Sequence, residues 1–134
     1  MSKHNPIILV VEDEHSLLKA WAEIFSREGL NVLMASDGKS ALNLALKWHP
    51  DLLVVDLVMS HSGGLALIKK LRESKWGQDI PVMFLSGWLA SDFPEEEYQK
   101  ISTNKDYYLD NNWSFQQVVR EVRNKLQLPQ FNRA

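Results

Sequence analysis

Cysteine is absent from the 134 residues. That excludes disulfide frameworks, zinc–thiolate centres and thiol nucleophiles together. No apolar run approaches the roughly 18–20 residues that a helix needs to cross a bilayer. Neither sign of charge dominates: 15 Lys and Arg face 17 Asp and Glu, for a formal net charge of −2. A generic nucleic-acid binder is usually clearly basic, so nucleic acid is not an expected partner, and neither is a membrane. Internal repeats, low-complexity tracts and linker-like stretches are also missing. The first residues, 1–5, are polar and too few for a signal peptide, which makes a cytoplasmic protein the expectation. What is present is a 45% hydrophobic share, enough for a sizeable core without staples, in a length suited to one domain.

The apolar residues are arranged in alternating runs. Residues 7–11, Ile-Ile-Leu-Val-Val, form a continuous apolar stretch that reads as a strand buried on both faces. A helix is expected over 16–28, with Leu17, Leu18, Trp21, Ile24 and Phe25 at helical spacing and Gly29 at the C-terminal cap. A strand at 31–35 and a helix at 37–48 follow, the helix with Ala41, Leu42, Ala45 and Leu46 on one face. Trp21 and Trp48 both fall at core spacing. A turn at His49-Pro50-Asp51 leads into a third strand, 52–55, which runs straight into Asp56. Then come a helix over 64–75, a strand over 81–85, a helix whose first turn is Pro94 with Glu95, Glu96 and Glu97, and a weak strand over 106–109. Ser114 and Gln117 fit a capping box opening a last helix that ends near Leu126. Five β–α alternations imply a flavodoxin-like, doubly wound parallel sheet of order 2-1-3-4-5 with five helices. The expected boundaries are an arm at 1–6, one domain at 7–127 and a tail at 128–134.

In such sheets ligands bind outside the carboxyl ends of the strands. The residues there are Glu12, Asp13 and Glu14 after the first strand, Asp56 after the third, Ser86-Gly87 after the fourth, and Asp110-Asn111-Asn112 after the fifth. The first and third strands are neighbours in this order, so Glu12, Asp13 and Asp56 converge. Crowded carboxylates repel unless they are protonated or neutralised by a cation. An oxygen-only site suits Mg²⁺ better than imidazole-loving metals, which counts against His15 and His61 as ligands. An aspartate facing such a metal can attack a phosphoryl donor and form an aspartyl phosphate. Ser86 would offer a hydroxyl to the new phosphoryl oxygens. The plainer alternative is that these acids cap the following helix. Acids in place of a glycine-rich loop argue against a dinucleotide-binding fold. Val58, where a second aspartate would be needed, argues against a haloacid-dehalogenase type of phosphatase.

These residues resemble the receiver domain of two-component response regulators, of the single-domain chemotaxis type. The resemblance runs from Ile7 to about Leu126. It is carried in order by Val10-Val11-Glu12-Asp13-Glu14, Leu53-Val54-Val55-Asp56-Leu57-Val58-Met59, Gly64, Phe84-Leu85-Ser86-Gly87 and Tyr108-Leu109. It implies Asp56 as phosphoacceptor and Asp13 as the more direct Mg²⁺ ligand, with Glu12 acting through water. It further implies a metal contact from the Val58 backbone carbonyl, Ser86 as the switch hydroxyl and Tyr108 as the aromatic that turns inward with it. The implied partners are a histidine kinase or phosphotransfer protein as donor and a downstream protein. The downstream protein would meet the face built by the fourth helix, fifth strand and fifth helix, with the chain a monomer or weak dimer. Beyond its own phosphorylation and dephosphorylation, no enzyme activity is expected.

The sequence departs from the family pattern at several places. Asn111 stands where the family has a lysine, Ser60 where it usually has a proline after Met59, and the two positions that govern access of hydrolytic water are the apolar Val58 and Trp88. The last departure implies slow loss of a phosphoryl group. The first two, Asn111 and Ser60, favour an alternative, a pseudo-receiver that keeps the fold as a binding module without the switch. The retained Glu12, Asp13, Asp56 and Ser86 oppose it.

Overall fold

A computed structural model describes residues 5–56, 64–85, 96, 99, 106–109 and 113–129. The chain alternates as β1 (Ile7–Val11), α1 (His15–Arg27), β2 (Asn31–Ala35), α2 (Gly38–Trp48), β3 (Leu52–Asp56), α3 (Gly64–Glu73), a 3₁₀ turn (Trp76–Gln78), β4 (Val82–Leu85), β5 (Tyr107–Leu109) and α4 (Phe115–Lys125). All strand pairs are parallel, and the order is β2-β1-β3-β4-β5. The expected helix at Pro94 falls mostly outside the described residues; Glu96 and Gln99 are helical. Among the described residues no helix is long and apolar enough to cross a membrane.

The strands are apolar at every position because the sheet is covered on both sides. Leu9, Val11, Leu53, Val55, Val82 and Phe84 point to α2 and α3. Their neighbours Ile8, Val10, Leu52, Val54, Met83 and Leu85 point to α1 and α4. Full burial of each such side chain contributes about 1.5–3 kcal/mol. On the second face Trp21 stacks on Phe25 at 5.3 Å between ring centroids, with Trp113 and Phe115 at 5.6 and 4.7 Å from Trp21.

Caps set the helix limits. Gly29 (φ 84) ends α1 in the left-handed region, donating to the Ser26 carbonyl while Leu30 reaches back to Phe25. Asp37 caps α2 by accepting from the Ser40 N–H at 2.7 Å, and Ser114 caps α4 by accepting from Gln117 at 3.1 Å. The third helix stops at Glu73, short of Lys75, because the Ser74 hydroxyl binds the Leu71 carbonyl and accepts from the Gly77 N–H.

Two expectations on α2 are corrected. Leu46 is 44% exposed and Trp48 is 50% exposed. The helix approaches the sheet through the small Ala41 and Ala45, and Leu42 and Leu44 flank that contact instead. Trp48 is the last helical residue; the chain leaves through His49 (φ 47), so the ring stands at the helix end, with the Lys47 ammonium 5.4 Å from it. His49 is exposed and stacks on Trp76 at 4.5 Å.

The ends of the described chain are tied down. The Pro6 carbonyl accepts from Asn31, and Asp51 binds the Ile7 N–H at 2.8 Å. Beyond α4, Leu126 and Leu128 pack on the core, and the buried Arg123 donates to the Pro129 carbonyl at 2.6 Å and to Glu28 at 3.1 Å.

Candidate functional site

Parallel strands end together, and β1 and β3 are adjacent, with Val11 opposite Val55. One residue further along each strand the chemistry changes from apolar to acidic. The Glu12 N–H still donates to the Ala35 carbonyl at 3.1 Å, which extends the β1–β2 ladder and fixes the direction of the Glu12 side chain. Asp56 is the last residue of β3, and it pairs with Leu85 of β4. As a result Glu12, Asp13 and Asp56 each place a carboxylate oxygen so that all three lie within 4.8 Å of one another.

Their environments differ. Glu12 is 3% exposed, Asp56 is half-buried and Asp13 is open to solvent. Burial pushes the Glu12 carboxyl up to about 8, helped by its hydrogen bond with Asp56 and by the charges of Asp56 and Asp13; the Glu14 N–H, donating to Glu12 at 3.3 Å, opposes this. With no cation present, the buried Glu12 carboxyl holds its proton more tightly than an ordinary glutamate does. A hard divalent cation would supply the missing positive charge and displace that proton, and three carboxylate oxygens suit such an ion.

The capping alternative does not account for these acids. Glu14 occupies the N-cap of α1 without a side-chain bond to the helix backbone, and its carboxylate instead accepts from the Ser16 hydroxyl. His15 opens α1 as an exposed residue and is not part of the cluster.

Tyr108 lies in the middle of β5, opposite Phe84, and is 36% exposed. Leu109 pairs with Leu85, which pairs with Asp56, so Tyr108 sits one step below the level of the carboxylates on the α3 side of the sheet. Ser86, Val58 and Asn111, along with His61, Ser60 and Trp88, lie outside the described residues.

Sequence reasoning missed the backbone donor of Glu14 that orients Glu12, which has no side-chain signature. It also missed two buried ion pairs that brace the frame, Arg72–Asp106 at 2.6 Å and Arg123–Glu28 at 3.1 Å. Their partners are far apart in sequence, so only the topology brings them together.

The family model described as response regulator receiver domain matches residues 8–123. The chain is 32% identical over 116 residues to the probable transcriptional regulatory protein TcrX of Mycobacterium tuberculosis, covering 87% of this chain and 47% of that protein. It therefore spans about half the length of such relatives. The receiver domain of the Francisella response regulator 1452 is 28% identical and superposes with a TM-score of 0.76, covering 92% of this chain and 98% of that one. The receiver domain of the sensor histidine kinase PA1611 of Pseudomonas aeruginosa, at 20% identity and a TM-score of 0.79, shares the fold over 92% of this chain and 99% of that one. That structure holds a magnesium ion in its active-site cleft.

Proposed function

The chain belongs to the response regulator receiver domain family, and from that premise we propose that it accepts a phosphoryl group on Asp56 and signals by protein contact. The observation that carries this reading is the convergence of Glu12, Asp13 and Asp56 within 4.8 Å at the strand ends. Asp56 is the nucleophile: a carboxylate oxygen bonds to phosphorus as the bond from phosphorus to its donor breaks. Asp13, exposed, and Glu12, buried, would hold the cation, Glu12 as its carboxylate. Mg²⁺ is the ion proposed, and when bound it offsets the charge that gathers on the transferring oxygens. The Val58 carbonyl is assigned as a further ligand, and Ser86 as the hydroxyl that meets the phosphoryl oxygens. Asn111 sits at the lysine position and can donate a hydrogen bond without adding charge.

The donor is a histidine kinase or phosphotransfer protein. The response is read by a protein docking on β5, α4 and the segment containing Glu96 and Gln99, where Tyr108 turns inward after phosphorylation. The protein acts in the cytoplasm, as a monomer or weak dimer, and turns over no metabolite. Intact-mass measurement after incubation with Mg²⁺ and acetyl phosphate tests this reading. The expected result is a single phosphoryl adduct that requires Mg²⁺, is absent in Asp56→Asn and outlasts minutes, since Val58 and Trp88 are apolar residues at the positions that govern hydrolytic water in the family. No adduct on folded, Mg²⁺-binding protein would overturn it in favour of a module that only binds.

A further inference from the structure

The buried ion pair at the foot of β5 stands apart from the carboxylates. Asp106, its side chain 1% exposed, immediately precedes β5. Its Oδ1 accepts from Arg72 Nη2 at 2.6 Å and from the Val82 N–H at 3.1 Å. Arg72 Nη1 donates to the carbonyls of Ile80 at 2.6 Å and Gly77 at 3.0 Å. One guanidinium thus joins the last turn of α3, the turn before β4, and the residue before β5. β5 itself is three residues long and lies at the sheet edge, with β4 as its neighbour. So short an edge strand has few ladder bonds to hold it. Its upper end, Leu109, lies in the row that runs through Leu85 to Asp56, and the chain after Asp56 leads into α3.

We infer that the Arg72–Asp106 pair is the positioning anchor of the switch strand: it clamps the foot of β5 to α3, so that a change at Asp56 is delivered as a displacement of Tyr108. The pair touches no reacting atom. Its role rests on the phosphoacceptor reading, and it adds a part that reading does not require. With the foot fixed, β5 has two distinct arrangements of its upper end; with the foot loose, Tyr108 samples both whatever the state of Asp56.

Two variants separate this role from simple bracing. Asp106→Asn keeps an acceptor for Val82 but removes the charge. The double variant Arg72→Met with Asp106→Leu replaces the pair by apolar groups and also removes its bonds to Val82, Ile80 and Gly77, so its melting temperature is measured alongside. Glu28→Gln, in the other buried pair, serves as the stability control. The full chain is labelled with fluorotyrosine and Tyr108 is assigned with Tyr108→Phe. Each protein is treated with Mg²⁺ and acetyl phosphate and measured by intact mass, fluorine NMR and thermal melting. The expectation is that both anchor variants form the adduct within about threefold of the wild-type rate, while the phosphorylation shift of Tyr108 falls below about a third of its original size. Glu28→Gln should lower the melting temperature yet keep the shift. A full Tyr108 shift in the anchor variants, an equal loss in Glu28→Gln, or no shift in phosphorylated wild type would each overturn the inference. Absence of the adduct in wild type would instead remove the phosphoacceptor reading on which it rests.

Discussion

Burying Glu12 beside Asp56 raises its proton affinity from an ordinary 4.5 to about 8, so the folded chain holds a proton that the unfolded chain releases. A raised carboxyl pKa contributes stability that is complete below the unfolded value and is lost as pH climbs through the folded one. Without divalent cation, the urea midpoint should therefore fall as pH rises from about 4.5 to about 8. Mg²⁺ should recover much of the loss at the alkaline end, and Glu12→Gln should flatten the slope. A metal-free midpoint that rises across that window would contradict the raised proton affinity of Glu12. The acids themselves were legible in the sequence because each directly follows an apolar strand. Which of them is buried was not, since it depends on the Ala35 and Glu14 backbone bonds that aim Glu12 inward.

For the elements, strand positions were readable because two-sided burial leaves uninterrupted apolar runs, and the start of the last helix because Ser114 is a good cap, whereas Asp37, read as the first residue of α2, is its cap instead. Helix faces were less readable. Ala41 and Ala45 let α2 sit close to the sheet, which turns Leu46 and Trp48 outward despite their spacing. The stop of α3 at Ser74 was hidden in a local hydrogen bond, and it makes Gly77 indispensable. A methyl group there would run into the Leu71 carbonyl and lie 2.6 Å from the Ser74 hydroxyl. Gly77→Ala should cost roughly 1–3 kcal/mol in chemical denaturation, as overpacking does. Gly29→Ala meets no atom within 4 Å but must hold φ at 84°, and should cost about 1–2 kcal/mol from backbone strain alone. If Gly77→Ala were neutral, the turn between α3 and β4 would be looser than these contacts indicate.

At the scale of the molecule, the apolar layers on either side of the sheet and the Arg72–Asp106 and Arg123–Glu28 pairs, seen among the described residues, hold a frame whose upper rim carries crowded negative charge. The rim is a cost that the frame absorbs for the sake of function. Asp56→Asn should stabilise the cation-free protein by roughly 1 kcal/mol, from removal of like-charge repulsion. The same substitution should forfeit most of the stabilisation that Mg²⁺ brings, which for wild type reaches about 2.7 kcal/mol at a hundredfold excess over Kd. Thermal melts of both proteins with and without Mg²⁺ decide this, and an Asp56→Asn protein still strongly stabilised by Mg²⁺ would show the ion held elsewhere. The aromatic residues on the two faces have a separate optical consequence. Trp21, 1% exposed and stacked on Phe25, should emit in the blue, resist acrylamide quenching and give strong near-ultraviolet dichroism. Trp48, half exposed at the end of α2, should emit in the red and quench freely. Because Trp76 and Trp113 also pack against these two layers, variants that keep only Trp21 or only Trp48 are the ones through which the two faces can be followed separately as the protein melts.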